Sequence, residues 1–386
     1  MLIQETLTRS KGLMIPKDAP ALKEKLRNAL SRTHRIPNGH IASLDVARLV
    51  ASLFIVIGHV GGTFVSADYQ GNILSTPLVY GFFHLRRMGL PIFLMASGFL
   101  FGRSLEKGKP PIPRYAKAFK RLMRIFLIWS IFYAIEPIAN PHLRQDFLTY
   151  DMLQHYYWHL KNLASHPLLL MIGGTKYNLW FIPSLIASIT VITTAVVLKK
   201  TRYLLLAAMS MYILAQCLHQ EPVKTLVDTS KYFIHFRSYC AGFAFVVFGW
   251  WFSQQARFSL KDALKLFGVA LFFQITQDMT LWHFYYLKPD DFMSIGLLPA
   301  IFGIFIVLMC YPNFGKNTIF QKAGQMTLGI YVLHPFIFSV LKLLNQKFIS
   351  LNPAIRDLTF PVIIAIICVY LTKILLKNNL SKKFIS

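Results

Sequence analysis

The chain has 386 residues, of which 55% are hydrophobic and 15% aromatic, and its mean hydropathy is positive. Repeated apolar stretches of about 20 residues exclude an ordinary soluble domain and indicate a polytopic helical membrane protein. Lys and Arg number 41 against 16 Asp and Glu, giving a net charge of +25 that would suggest nucleic-acid binding in a soluble protein. Cytoplasmic loops of membrane proteins collect such residues, so no nucleic-acid partner is expected here.

Residues 1–43 form a basic extension with eight Lys or Arg and three acids. Leu22, Leu26 and Leu30 recur every four residues within it, a spacing typical of a short amphipathic helix on the inner membrane surface. No cleavable signal peptide is expected at this end. The four cysteines of the chain lack CxxC or Cys/His spacing, so neither a disulfide framework nor a metal site is predicted.

Ten membrane-spanning helices are predicted, and they make one all-α bundle over residues 44–376. Their approximate bounds are 44–64, 80–102, 120–138, 178–198, 202–219, 236–253, 262–280, 292–311, 325–344 and 358–376. With the N-terminus in the cytoplasm, Lys and Arg concentrate in the segments that then lie inside. Those segments are 103–119, 199–201, 254–261, 312–324 and the basic tail 377–386. Both termini are therefore predicted to be cytoplasmic, with a long outside loop at 139–177.

The first span, "LDVARLVASLFIVIGHV", places Arg48 and His59 within a lipid-compatible run. Eleven residues are about three helical turns, so both side chains share a face and lie about 16 Å apart along the axis. This spacing suits an elongated substrate whose anionic part is held by Arg48 near the cytoplasm while its reactive end meets His59. The alternative is that Arg48 extends to the inner headgroups and His59 bonds to a neighbouring helix. Desolvation keeps the His59 imidazole neutral and able to accept a proton.

This span resembles the first helix of the acyltransferase-3 family of integral membrane acyltransferases. In that family a Leu-Asp pair precedes an Arg, ten further residues and a His. Segments that resemble later parts of the family follow in the expected order: "PIFLMASGFLFGRSL", "KAFKRLMRIFLIW", "YNLWFIPSLI" and "GQMTLGIYVLHPFIF". The usual Arg-Arg pair of the basic stretch reads Lys120-Arg121 here, with Arg124 three residues on.

The resemblance implies an O-acyltransferase of the bacterial inner membrane. It would move an acyl group, usually acetyl, from cytoplasmic acyl-CoA to a hydroxyl of an extracytoplasmic glycan or lipid-linked sugar. Lipopolysaccharide O-antigen, capsule and exopolysaccharide are such acceptors. His59 would act as the general base or be acylated transiently, with Arg48 as its partner in catalysis. Acyl-CoA is a substrate in this scheme, so no permanently bound cofactor and no metal are implied; protein partners are left open.

Other residues are assigned by the same resemblance. Arg121, Arg124 and Arg114 would bind the phosphates of acyl-CoA, although positive-inside topology alone also accounts for this basic stretch. Four further residues are candidates for lining the cavity. They are Ser97, Asp278, Tyr331 and His334. Ser97, beside Gly98, can equally serve close helix packing, and Asp278 is chosen only because buried acids are rare.

A transporter or flippase that exports a glycan precursor is the rival interpretation. It would equally explain ten spans and polar residues within them. It would not require the spacing between Arg48 and His59, nor a cytoplasmic basic cluster suited to coenzyme A. These two features favour the acyltransferase.

Overall fold

The computed structural model describes residues 24, 28, 30–60, 77–136, 152–218, 231–255, 257–285, 295–349, 351, 353–379 and 381–385. Helices make up nearly all of this part of the chain, which confirms the predicted all-α class. The α-helices are α1 Ala42–Val60, α2 Pro77–Glu106, α3 Pro111–Ile135, α4 Met152–Ser165, α5 Pro167–Gly173, α6 Phe181–Val197, α7 Arg202–Cys217, α8 Lys231–Phe252, α9 Leu260–Tyr285, α10 Leu297–Cys310, α11 Ile319–Gly324, α12 Thr327–Leu344 and α13 Pro353–Lys377.

Shorter elements connect these helices. A 3₁₀ turn at Tyr177–Trp180 leads into α6, and a π-helical turn at Asn345–Ile349 follows α12. The strands β1 Thr33–His34 and β2 Phe258–Ser259 pair antiparallel. A second 3₁₀ turn, Ser381–Phe384, lies near the C-terminus.

Each of the ten predicted spans overlaps a helix in the described part of the chain. In the described part of the chain, five segments are long and apolar enough to cross a membrane. They are Ala42–Val60, Arg86–Glu106, Asn178–Val197, Thr327–Ile349 and Thr359–Lys377. Two shorter apolar helices, α7 and α10, add to these, whereas α3, α8 and α9 carry more polar residues. The count of ten membrane spans and the cytoplasmic location of both termini stay predictions.

Close backbone contact fixes how the central helices pack. Helix α1 lies against α2, α11, α12 and α13, while α2 also packs along α8. At the crossing of α2 and α8, a Cβ on Gly98 would collide with the Val246 carbonyl, and one on Gly249 with the Met95 carbonyl. Small residues permit such close approach between helices in a membrane. Gly98 thus has a packing role.

Segments predicted to lie inside meet at one end of the bundle. The short strand pair joins the N-terminal extension to the segment before α9. Arg103 donates a hydrogen bond of 2.6 Å to the Pro37 carbonyl, and the Gln321 amide lies 3.3 Å from Nδ1 of His40. Residues far apart in sequence are therefore gathered where the prediction groups them.

Both ends of the chain make contacts that hydropathy does not anticipate. The C-terminal residues fold back onto the bundle, because Trp129 Nε1 donates to the Phe384 carbonyl at 2.8 Å and Ile385 is buried. Leu22 and Leu26 of the predicted amphipathic helix lie outside the described residues, while Leu30 is in a helical turn. Helices α4 and α5 lie within the predicted outside loop, of which residues 139–151 are not described.

Candidate active site

A row of rings from three helices connects Arg48 to His59. The guanidinium carbon of Arg48 lies 5.6 Å from the ring centroid of Phe93 on α2. Phe93 stacks on Tyr331 of α12 with 6.1 Å between centroids, and Tyr331 meets His334 at 5.8 Å. His334 then stacks on His59 with centroids 5.2 Å apart and ring planes 17° from parallel. The two predicted catalytic residues are thus joined by a continuous row of ring contacts.

The two histidines at the outer end of this row differ in their surroundings. His59 is half-buried, whereas His334 is only 1% exposed. The Nδ1 atom of His334 lies 3.3 Å from the Ile330 carbonyl one turn back on α12. Its Nε2 atom is buried and has no hydrogen-bond partner among the described residues. The site therefore presents two adjacent imidazoles in a region largely shielded from water.

Two cations lie within electrostatic range of His59. They are Arg86, near the start of the described side chains of α2, and Lys176, just before the 3₁₀ turn. Arg87, beside Arg86, is also buried. Sequence reasoning missed this group, although a signal was present: arginines at the predicted outer end of a span run against the positive-inside rule. Cations beside a reacting carbonyl can stabilise the oxyanion that develops there.

Asp45 orients Arg48 at the opposite end of the row. An Arg48 Nη1 atom lies 3.8 Å from Oδ1 of Asp45, one helical turn earlier. The other carboxylate oxygen lies 2.9 Å from Nε2 of His40 and accepts a 3.2 Å hydrogen bond from the Gln325 amide. Because Asp45 is 7% exposed and held by three segments, it restricts the directions that the guanidinium can take. In the sequence, Asp45 was recognised only as part of the Leu-Asp pair of the family motif, and no role in orienting Arg48 was predicted.

Asn178 and Tyr331 lock the 3₁₀ turn onto α12. Pro335 has no backbone N–H, so the Tyr331 carbonyl lacks its usual partner one turn on. The Asn178 amide nitrogen donates to that carbonyl at 3.4 Å, and the Tyr331 hydroxyl donates to the Asn178 carbonyl. This exchange explains why "YNLW" and "YVLHP" belong to one site. Asn178 was not predicted as a site residue. The sequence does not reveal that its side chain donates to the Tyr331 carbonyl, because the two residues are 153 positions apart.

Three of the four predicted arginines form one electrostatic group. Arg121 interacts with both Arg48 and Arg114. Arg114 itself donates through Nε to the Ser104 hydroxyl at 2.7 Å, which fixes its side chain. Arg121 and Arg124 are both exposed, but Arg124 lies about 60° farther round α3 from the helix face that packs inward. Arg121 is thus the member of the basic stretch that lies close to both Arg114 and Arg48. Donor binding by Arg121, Arg124 and Arg114 stays a prediction.

Two of the predicted cavity-lining residues lie elsewhere or are not described. The Ser97 hydroxyl donates to the Phe93 carbonyl at 2.8 Å within α2. Hydroxyls on helices commonly make this local bond, which leaves a contact with substrate a prediction only. The side chain of Asp278 lies outside the described residues, although its backbone is in α9.

The site of this all-α protein combines a partly buried arginine, a histidine pair and a basic cluster at one end. The chain belongs to the acyltransferase-3 family, because that family, described as an acyltransferase domain, matches residues 41–374. The match covers every helix that contributes to the site.

Two curated relatives are more distant. A serine/alanine racemase of Enterococcus gallinarum is 20% identical over 350 residues, which are 85% of this chain and 45% of that protein. An amino-acid racemase of Enterococcus faecalis is 24% identical over 313 residues, or 77% of this chain and 39% of that protein. The chain thus spans less than half the length of either relative. No solved structure matches the chain.

Proposed function

We propose that the protein is a membrane O-acyltransferase that moves an acyl group, acetyl in the first instance, from cytoplasmic acyl-CoA to a hydroxyl of an extracytoplasmic glycan. The observation that carries this proposal is the row of rings from Arg48 to His59. It joins a fixed cation at one end to a proton acceptor at the other. An elongated anionic donor would need this arrangement to deliver its thioester across the bundle.

The donor side of the proposal rests on the basic cluster. Coenzyme A carries several phosphate charges, and arginine binds phosphate through paired N–H groups. Arg121 and Arg114 lie together. Arg114 is hydrogen-bonded to Ser104, beside the Arg103 that contacts a segment predicted to be cytoplasmic. Arg48, within range of Arg121, would hold the part of the donor that enters the bundle. Arg124 would add a weaker electrostatic attraction for the phosphates from the exposed face of α3.

The chemical step is assigned to His59. As a general base it would take the proton of the acceptor hydroxyl while the oxygen attacks the thioester carbonyl, a contribution of about a hundredfold to ten-thousandfold in rate. As a nucleophile it would carry the acyl group between donor and acceptor. In either case negative charge develops on the carbonyl oxygen, and Arg86 and Lys176 are near enough to His59 to stabilise it.

The acceptor and its location follow from where the donor is made. Acyl-CoA is cytoplasmic, so a site that spans the bilayer is useful only if the acceptor lies on the far side. We infer a bacterial inner-membrane enzyme acting on lipopolysaccharide O-antigen, capsule, exopolysaccharide or a lipid-linked precursor of these. The donor is a substrate, and no permanently bound cofactor is proposed.

Mass spectrometry of surface glycans tests this function. Strains with the gene, without it, and with His59→Gln in its place would be compared. An acyltransferase predicts that the glycan persists in all three while an ester mass, 42 Da for acetyl, is present only in the first. A transporter predicts instead that the glycan itself disappears when the gene is deleted. Unchanged glycan and ester in the deletion strain would contradict both functions.

A further inference from the structure

His334 carries an unused proton acceptor. A carbonyl oxygen can only accept a hydrogen bond, so the contact with Ile330 places the imidazole proton of His334 on Nδ1. The lone pair of the neutral ring is then on Nε2, which is buried without a partner in the described part of the chain. Leaving such an atom unpaired is unfavourable. A ligand that donates a hydrogen bond to Nε2 would remove this cost.

A second unpaired acceptor lies on the same frame. Oδ1 of Asn178 is buried and has no partner among the described residues, since the amide nitrogen faces the Tyr331 carbonyl. Asn178 is held by Tyr331, whose ring contacts His334 at 5.8 Å. Two unsatisfied acceptors among the described residues of this frame favour a ligand that donates hydrogen bonds, such as one rich in hydroxyl groups.

The stacked histidines can divide two tasks between two rings. An acylated imidazole keeps a lone pair only on its other nitrogen, and the acyl group makes that nitrogen a much weaker base. A neutral second imidazole is therefore a better base for the acceptor hydroxyl than the ring that carries the acyl group. His59 and His334 are different imidazoles whose centroids are 5.2 Å apart, close enough for an acyl group on one to be attacked by a hydroxyl bound to the other.

We propose, on the basis of the acyltransferase function above, that transfer takes two steps in which His59 carries the acyl group and His334 activates the acceptor hydroxyl. In the first step a His59 nitrogen attacks the thioester, the C–N bond forms, the C–S bond breaks, and the thiolate takes the imidazole proton to leave as free coenzyme A. In the second, the hydroxyl proton passes to Nε2 of His334 while the oxygen attacks the acyl carbon. The C–N bond breaks, and His334 returns the proton to the His59 nitrogen. Asn178 Oδ1 accepts a hydrogen bond from a neighbouring hydroxyl of the glycan.

The test separates the two steps in the purified full-length protein. The donor is [¹⁴C]acetyl-CoA, and washed membranes from a strain lacking the gene supply the acceptor. Without those membranes, wild-type protein and His334→Asn are expected to retain label after denaturation, whereas His59→Ala retains none. With the membranes, His334→Asn transfers label about 10²–10⁴ times more slowly than wild type. His166→Gln, an exposed histidine away from the row, is the matched control.

A second variant distinguishes chemistry from packing. His334→Gln places an amide near the position of Nε2, which can accept the hydroxyl hydrogen bond but not its proton. The apparent KM for acceptor membranes is expected to stay within about threefold while kcat falls about a hundredfold or more. Donor binding by each variant establishes that it is folded.

Three outcomes would overturn the inference. Transfer by either His334 variant within threefold of wild type removes its role as a base. Absence of label on wild-type protein without acceptor removes the two-step route, while transfer itself could continue and would leave the proposed function intact. If wild-type protein neither retains nor transfers label, the acyltransferase function fails and the inference with it.

Discussion

Single residues in this site work because their neighbours restrict them. Arg48 is held at a distance of 3.8 Å from a carboxylate that is itself fixed by two other side chains. His59 is stacked on a second imidazole rather than packed among aliphatic groups. Spacing along α1 predicted that Arg48 and His59 share a face, because eleven residues make about three full helical turns. Several of their partners come from distant segments, such as Phe93 beside Arg48 and His334 beside His59, and the spacing along α1 does not reveal these contacts.

Replacing the Asp45 carboxylate tests whether the function of Arg48 depends on the orientation that this carboxylate gives to the guanidinium. Asp45→Asn keeps the shape and the hydrogen bond from Gln325 but removes the charge. Because a hydrogen bond to a charged group is worth about 1.5–3 kcal/mol, we expect kcat/KM for acyl-CoA to fall roughly tenfold to a hundredfold. Steady-state kinetics measure this.

The control for that variant is Glu106→Gln, which removes an acidic partner of Arg103 at the same end of the bundle. It is expected to change kcat/KM by less than twofold. Equal effects of the two substitutions would mean that Asp45 acts only through the general charge of this surface.

At the scale of elements, glycine and proline decide which helices meet. Gly98 and Gly249 allow α2 and α8 to touch through their backbones, and Pro335 leaves a carbonyl that Asn178 binds. The long apolar helices were predictable because hydropathy over about 20 residues is a strong local signal. Their packing was not, because a glycine in an apolar run does not reveal which neighbour it contacts.

Helix α3 supplies a prediction about donor binding. Arg121→Gln is expected to raise the KM for acyl-CoA about tenfold to a hundredfold with less change in kcat, since a charge-assisted phosphate contact is lost. Arg124→Gln is expected to have a smaller effect, because Arg124 faces away from the packed side of α3.

Lys107→Gln is the charge-matched control for these variants, since Lys107 is an exposed basic residue in the loop before α3. Its KM should stay within twofold of wild type. If all three variants shift KM alike, the basic stretch serves topology and bulk electrostatics and does not form a specific donor site.

The crossing of α2 and α8 can be tested through stability. Gly98→Ala places a Cβ against the Val246 carbonyl, and such overpacking costs about 1–3 kcal/mol or more. Gly268→Ala on α9 is the control, since nothing lies within 4 Å of its added Cβ. Thermal unfolding of both detergent-purified variants should show a clear loss only for Gly98→Ala. Equal melting temperatures would show that the two helices do not approach as closely as described.

For the whole molecule, the gathering of basic segments at one end sets the direction of the reaction. In the proposed function the donor would enter where Arg121 and Arg114 lie, and the acceptor would approach from the His59 end. The distribution of Lys and Arg predicts that the first of these ends is cytoplasmic. Composition was sufficient to predict a membrane bundle, whereas the acceptor glycan leaves no recognisable motif in the sequence.

Thiol labelling of intact cells tests that direction. Single cysteines at Asn162 and Lys107, both exposed positions, would be introduced after the exposed native Cys217 is replaced by Ser. An impermeant reagent is expected to label the cysteine at 162 and to reach the one at 107 only after the membrane is opened. Labelling of the cysteine at 107 in intact cells would reverse the assignment of the two ends.

The central claim is that His59 performs acyl transfer, and reconstituted protein measures this directly. Wild-type protein, His59→Gln and the control His166→Gln would be supplied with [¹⁴C]acetyl-CoA on the Arg121 side of proteoliposomes and with glycan-bearing lipid on the other. The account predicts that label reaches the glycan with wild type and the control, and that His59→Gln reduces the rate at least a hundredfold while acetyl-CoA still binds. Transfer by His59→Gln at a rate near that of wild type would contradict the account.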